Sequence, residues 1–272
     1  MEMQFERNGF KKRLTSMLKV DFKRLFLSPL FYIMVGVSFA IPVLILVMTT
    51  MMDGTVSVDP QTGKETVMEG FKNVWQILGS VSSSGSANAG AGMDMSLTAT
   101  CNINMMYFLI AVLVCVFVGD DFRSGYAKNL FTVRAKKTDY VISKTLACFV
   151  GGAVMILAFV VGALLGGGVA GLPFTMEGFS TVNLLLCVAS KTALVLIFAP
   201  IYLLMSVIAK QKVWLSMLLS FGVGMFLFNI APMVSPLNAT LLHPILCLLG
   251  GGLLCVGLGS LSNLVLKKTS LV

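Results

Sequence analysis

Charged side chains are scarce in this sequence. Asp, Glu, Lys and Arg together make up 12% of its 272 residues, whereas a water-soluble domain usually has about 25%. Hydrophobic residues make up 57%, and the mean hydropathy is +0.91. So few charges could not cover a water-soluble globule of this size. We therefore expect an all-α membrane protein with lipid as its solvent.

Residue patterns needed for common enzyme chemistry are also missing. His243 is the single histidine, and no HExxH pattern exists, which argues against an intramembrane metalloenzyme. No GxxxxGK[ST] pattern is present, so ATP hydrolysis would have to come from a separate subunit. No Asp or Glu lies well inside an apolar segment, which argues against an ion-coupled secondary transporter. We predict that the chain itself is not an enzyme and holds no cofactor.

Cysteine usage gives no sign of a metal or disulfide framework. All six cysteines lie in or at the ends of apolar segments, and none forms a CxxC pair. We interpret them as small packing residues. We predict no metal site.

The sequence contains six apolar segments long enough to cross a bilayer. The first holds Pro42, which predicts a kink. The third exceeds about 20 residues, so it is tilted or continues outside the bilayer. In it, Gly162 and Gly166 form a GxxxG pair, which either marks a close helix contact or reflects the frequency of glycine in membrane helices. The predicted spans are 30–51, 101–119, 140–170, 183–208, 213–230 and 242–266.

The basic residues are distributed very unevenly around these spans. The net charge is +8, with 20 Lys and Arg. All of them except Lys64, Lys72 and Lys191 fall at the two ends of the chain, in the connections after spans two and four, or, for Lys144, near the inner start of span three. The positive-inside rule then puts both termini in the cytoplasm. Topology explains the positive charge, and we predict no binding of nucleic acid.

We predict a single transmembrane domain over residues 1–272 with three parts outside the bilayer. Residues 1–29 are basic with apolar residues at helical spacing, which indicates either a cytoplasmic interfacial helix or a plain basic leader. Residues 52–98 form a long extracytoplasmic loop, whose apolar patch at 74–78 contacts the membrane or a partner. Residues 120–139 form a cytoplasmic loop.

The segment 228–245 and Lys191, both nearer the outer side, each allow two interpretations. In 228–245, Pro232 and Pro236 indicate either short re-entrant helices before the last span or a plain outer turn. Lys191 lies roughly 12 Å into the fourth span at about 1.5 Å per residue. It either lines a cargo path or extends to the outer headgroups.

The connection after span two has a distinctive order of residue types. The acid Asp121 comes just after the span, and Gly125 can break the descending helix. Residues 126–133 can form a short helix that offers apolar and basic side chains. Lys144 then lies near the start of the third span. An ordinary basic loop would explain the bases but not this order.

In this order, carried by Asp121, Gly125, Leu130 and Lys144, the loop resembles the first cytoplasmic loop of the permease subunits of type-2 ABC exporters. The family more often has Glu where this chain has Asp121. The resemblance extends to the N-terminal helix, the long outer loop and the six-span order. It implies a coupling helix that docks on a separate ABC ATPase subunit. The residues it assigns to this contact are Asp121, Arg123, Gly125, Lys128, Leu130, Phe131 and Arg134.

The resemblance also implies the setting and the partners. ATP and Mg would bind in the partner ATPase. A second permease copy, identical or related, would complete the path. The membrane would be the bacterial cytoplasmic membrane. Small permeases of this kind resemble exporters of amphipathic peptides such as bacteriocins, lantibiotics and modulins, and 18 Met and 19 Phe suit an adaptable apolar path. Drugs, lipids or ions are the alternative cargo.

Overall fold

The computed structural model describes residues 2–58, 65–67, 70–79, 101–133, 136–176 and 180–268. The chain is almost entirely helical there. Two short 3-10 helices, η1 (Val74–Leu78) and η2 (Ile103–Met105), and a hairpin of β1 (Val56–Val58) with β2 (Glu65–Val67) complete it. The α-helices are α1 (Glu2–Leu27), α2 (Pro29–Met52), α3 (Met106–Arg123), α4 (Tyr126–Val133), α5 (Lys137–Ala170), α6 (Thr181–Ala209), α7 (Val213–Val234) and α8 (Leu242–Lys268).

Several of these helices have the length and composition of membrane spans. Among the described residues, five qualify. In α7, only the shorter apolar run Val213–Phe228 stands out. The all-α prediction is therefore confirmed, with five helices that could cross a membrane, whereas the count of six stays a prediction. The five are Pro29–Met52, Ile103–Arg123, Lys137–Ala170, Thr181–Ala209 and Leu242–Lys267.

Local sequence sets the helix ends. Ser28 is extended, and Pro29 occupies the first turn of α2, where its missing N–H costs nothing. Gly125 has φ +73° and separates α3 from α4. Gly171 ends α5 with φ +68°, and the Leu172 N–H donates to the Gly167 carbonyl at 3.0 Å. That is the left-handed cap that glycine adopts without strain.

The helices differ greatly in how deeply they are buried. Within their most apolar windows, 67% of α3 and 61% of α6 are buried inside the chain, compared with 17% of α8. Helix α5 contacts α1, α2, α6 and α8. The core therefore lies around α3, α5 and α6, and α8 exposes most of its apolar surface.

The apolar patch at 74–78 forms η1 and packs inside the chain. Val74, Ile77 and Leu78 are buried. The indole N–H of Trp75 donates to the Phe174 carbonyl at 2.6 Å, so η1 is joined to the connection that follows α5. The prediction of a membrane or partner contact for this patch was wrong, because its own bundle covers it.

The prolines of the connection before α8 do not produce separate re-entrant helices. Helix α7 continues through Pro232 to Val234. In the described residues from Ser235 to Leu241 the chain forms turns and no helix. Leu237 and Ala239 are fully buried there. The structure thus favours a plain turn, but one that packs into the protein.

Glycines bring α5 unusually close to its neighbours. A Cβ atom added at Gly162 would overlap the backbone oxygen of Phe39, and one at Gly166 would lie 2.7 Å from the Cα atom of Val43. Both partners are backbone atoms of α2. Of the two interpretations of the GxxxG pair, the structure favours close helix contact.

Replacing Gly162 with Ala should destabilise the protein, because helix backbone cannot move aside as a flexible side chain can. We expect a cost of about 1–3 kcal/mol, the usual range for overpacking. Gly168→Ala is the matched control, since a Cβ there meets nothing within 4 Å. The measurement is the midpoint of thermal unfolding in detergent. Equal midpoints for the two variants would contradict the close contact.

Candidate functional site

The predicted coupling loop forms a tight corner at one end of the bundle. Helix α3 runs past Asp121 to Arg123, where the Ser124 N–H donates to the Asp120 carbonyl at 2.9 Å. Gly125 then reverses the chain into α4. Arg123 is exposed at the corner, whereas Asp121 is fully buried. Arg134 lies outside the described residues.

Helix α4 has two distinct faces. Lys128, Asn129 and Thr132 are exposed and share one side at helical spacing. Ala127 is fully buried on the other side, and Leu130 and Phe131 are half-buried with it. The exposed face of α4 is therefore polar, with Lys128 as its base.

The two apolar residues of α4 contact the chain's own helices. The Phe131 ring meets the Tyr140 ring edge-on, with centroids 5.3 Å apart. Leu130 lines a groove of about 550 Å³ between α4 and α1, together with Met17 and Val20. Phe131 therefore packs on α5, and Leu130 is partly buried beside the groove that separates α4 from α1.

Beneath α4, four charged side chains from three helices form a buried cluster. Lys144 Nζ lies 2.7 Å from Asp121 Oδ2 and 2.9 Å from Asp21 Oδ1. Arg24 Nη1 lies 2.6 Å from Asp121 Oδ1. Asp21, Asp121 and Lys144 are fully buried. We call Asp21, Arg24, Asp121 and Lys144 the ion cluster.

Hydroxyl groups complete the surroundings of the two carboxylates. Tyr140 donates its OH to Asp121 Oδ2 at 2.9 Å, and Ser143 donates to Asp21 Oδ2 at 2.5 Å. Two acids and two bases make the ion cluster neutral overall. Burial of charges is tolerated only with such pairing and hydrogen bonding, because each isolated ion would cost several kcal/mol.

Arg24 connects the ion cluster to α4. Its guanidinium carbon lies 4.1 Å from the centroid of the Tyr126 ring, the first residue of α4. Burial by itself lowers the pKa of Arg24, but the charge and hydrogen bond of Asp121 outweigh this, so the pKa is raised. Arg24 therefore stays charged and joins α1, α3 and α4.

Helix α1 is attached to α5 at a further point. Arg13 Nε donates to Asp139 Oδ2 at 3.1 Å. Sequence reasoning found the Asp121 and Lys144 positions but missed Asp21 and Arg24 as their partners. The available signal was that Asp21 is the sole acid between Arg7 and Asp53, in a segment otherwise basic or apolar.

Lys191 lies far from the ion cluster and has no exposed surface. Its Nζ donates to Asn104 Oδ1 at 2.8 Å, and its backbone carbonyl accepts from the Tyr107 OH at 3.0 Å. Asn104 belongs to η2, about 25 Å from Asp121 along the helix at ~1.5 Å per residue. The side chain ends inside the protein, so it does not extend to lipid headgroups.

Comparison with known proteins gives no family assignment. The chain matches no protein-family model, and no curated protein is significantly similar to it. Its function therefore has to be argued from the geometry of the α3–α4–α5 corner and from the resemblance of its loop.

Removing the central cation of the ion cluster should destabilise the fold strongly. We expect Lys144→Met to cost about 3–5 kcal/mol, because it leaves two buried carboxylates with one base. Adding Asp21→Asn should recover part of this loss by restoring neutrality. Unfolding midpoints in detergent measure both effects. Lys128→Met, on the exposed face of α4, is the control, and an equal midpoint for it and Lys144→Met would refute the account.

The Lys191–Asn104 contact makes an asymmetric prediction. Asn104→Leu leaves a buried ammonium without its acceptor, so we expect it to cost about 1.5–3 kcal/mol. Lys191→Met removes the charge itself and should cost less. The double variant should then be nearer to Lys191→Met than to the sum of the single changes. Additive shifts in unfolding midpoint would show that the two side chains are not coupled.

Proposed function

We propose that this chain is the membrane-spanning permease subunit of a type-2 ABC exporter. It would cross a bacterial cytoplasmic membrane six times with both termini inside. The observation that carries the proposal is the corner built by Asp121, Gly125, α4 and Lys144. The loop pattern that resembles the family has a physical counterpart, since its acid and its lysine lie 2.7 Å apart beneath the short helix.

Helix α4 would act as the coupling helix. It is short, lies at the end of the bundle and exposes a polar face with Lys128. An ATPase that moved α4 would also move Arg24 and, through it, α1 and α3. The ion cluster joins these helices by several short contacts, so it favours their movement as a unit.

Energy would come from a partner. The chain has no phosphate-binding loop pattern, and ATP and Mg would bind in the ABC ATPase subunit. The chain's own part would be to convert closure of the ATPases into a switch between membrane conformations. A second permease copy, identical or related, would complete the path.

The cargo we favour is an amphipathic or hydrophobic peptide. The described chain has almost no extramembrane domain that could select a polar solute. Lys191 is the candidate for the cargo path, but it would have to leave Asn104 to reach cargo. Drugs, lipids or ions are the alternative cargo, and a secondary transporter is the alternative class. Against that class, the buried carboxylates Asp21 and Asp121 each lie within ion-pair distance of a base.

A charge-reversed α4 corner should lose its ATPase. We expect Arg123→Glu/Lys128→Glu to weaken association with a candidate ABC ATPase subunit by about tenfold or more, since interface charges set recognition. Both residues are exposed, so the unfolding midpoint should not change. Leu130→Asp and Phe131→Asp are less suitable variants, because they would disturb the packing of α4.

The control is Lys210→Glu/Lys212→Glu, which reverses two exposed bases between α6 and α7. Co-purification and peptide-stimulated ATP hydrolysis are the measurements. Full association of the α4 variant would overturn the coupling-helix assignment. Stimulation by drugs or lipids, and by no peptide tested, would replace the cargo while leaving the exporter class.

A further inference from the structure

A groove separate from the corner runs between α5, α6 and α8. Its volume is about 390 Å³, within the roughly 300–1,000 Å³ of small-molecule sites. Four of its residues are exposed, so the groove is open along its side. These are Thr138, Leu146, Val256 and Ser260.

The walls of the groove are mostly apolar, because most of their polar side chains already bond backbone carbonyls. Thr145 donates its hydroxyl to the Val141 carbonyl, and Ser260 donates to the Val256 carbonyl, each four residues back on its own helix. Cys255 Sγ donates to the Leu196 carbonyl. Polar side chains that bond their own backbone leave an apolar surface. The groove therefore suits an alkyl chain better than a polar solute.

One end of the groove is polar and basic. Thr138 and Asn263 line it there. Lys267 follows Asn263 by four residues, so it shares that face of α8. Lys136 comes two residues before Thr138, and both lysines are exposed. The groove thus changes from apolar to polar along its length, and the two lysines follow its polar end along the chain.

Two other charged side chains near this end, Lys137 and Asp139, already have partners. Lys137 Nζ donates to the Leu266 carbonyl at 2.5 Å, which fixes the start of α5 beside the end of α8. Asp139 is buried in its pair with Arg13 on the α1 side. Lys136 is the N-cap residue of α5, and its ammonium has no acceptor for the free N–H groups there, so the lysine adds to the positive end of that helix. The field here favours an anion.

We propose that this groove is a binding site for one anionic phospholipid, with an acyl chain between α5 and α8 and the phosphate at Lys136 and Lys267. Basic sites between membrane helices recognise anionic headgroups in this way. The site requires a membrane around the protein but no ATPase. It would anchor α8, which the chain itself buries least of the five candidate spans.

The groove can be filled without disturbing the fold. A Cβ added at Gly252, which lines the groove, meets nothing within 4 Å. Gly252→Leu should therefore occupy the place of the acyl chain. Gly257→Leu is the matched control, because Gly257 lies on the same helix, also meets nothing within 4 Å and does not line the groove.

The test is native mass spectrometry of the full chain with palmitoyl-oleoyl phosphatidylglycerol or phosphatidylcholine. Wild type and Gly257→Leu should retain phosphatidylglycerol preferentially, and Gly252→Leu should lose most of it. Lys136→Gln/Lys267→Gln should reduce the preference for phosphatidylglycerol by about tenfold or more. Lys210→Gln/Lys212→Gln controls for the loss of two bases.

Two results would overturn the proposal. In the first, Gly252→Leu retains as much phosphatidylglycerol as Gly257→Leu, so the groove holds no lipid. In the second, Gly252→Leu keeps its lipid but shifts the ratio of monomer to dimer, so the groove receives a second copy of the chain. Failure of ATPase association in the α4 variants would affect neither reading, which keeps this test separate from the proposed function.

Discussion

The placement of Lys144 between two carboxylates is the interaction on which this end of the molecule depends. It draws Asp21 of α1 and Asp121 of α3 to the same ammonium on α5. Three helices are therefore held at one point by charged side chains that have no exposed surface. Such an arrangement contributes little net stability over an apolar core, but it penalises any alternative packing that leaves one charge alone. Its value lies in fixing one arrangement of the helices.

At its other end, helix α5 is held by close steric packing instead of by ion pairs. There Gly162 and Gly166 admit the backbone of α2, and Gly167 admits Val74 of η1. Contacts of this kind depend on shape and fall off steeply as helices separate. The ion cluster, by contrast, acts over longer distances in a low dielectric. A shift of α5 along its axis would thus meet a sharp steric limit at one end and a softer electrostatic one at the other.

Sequence patterns predicted much of this fold because they are local. Composition indicated the helical membrane architecture, and Gly125 marked the break before α4. The contacts of the two buried carboxylates could not be predicted in this way, since Arg24 lies 97 residues from Asp121 and the Ser143–Asp21 contact spans 122. The half-buried placement of Leu130 and Phe131 and the internal packing of η1 likewise depend on which helices are neighbours. Hydrophobic periodicity identifies the apolar face of a single helix but does not identify the element that packs against that face.

The surroundings of Lys191 affect how the length of the chain between Gly79 and Asn104 could change in evolution. A Cβ at Gly79 would lie 3.9 Å from Lys191 Nζ, and Asn104 accepts a hydrogen bond from the same atom. Gly79 and Asn104 therefore both lie beside this one lysine. When the two ends of a flexible segment are held together, each doubling of its length adds an entropic cost of only about 0.6 kcal/mol. Evolution could therefore lengthen or replace the residues between Gly79 and Asn104 without changing how the helices pack.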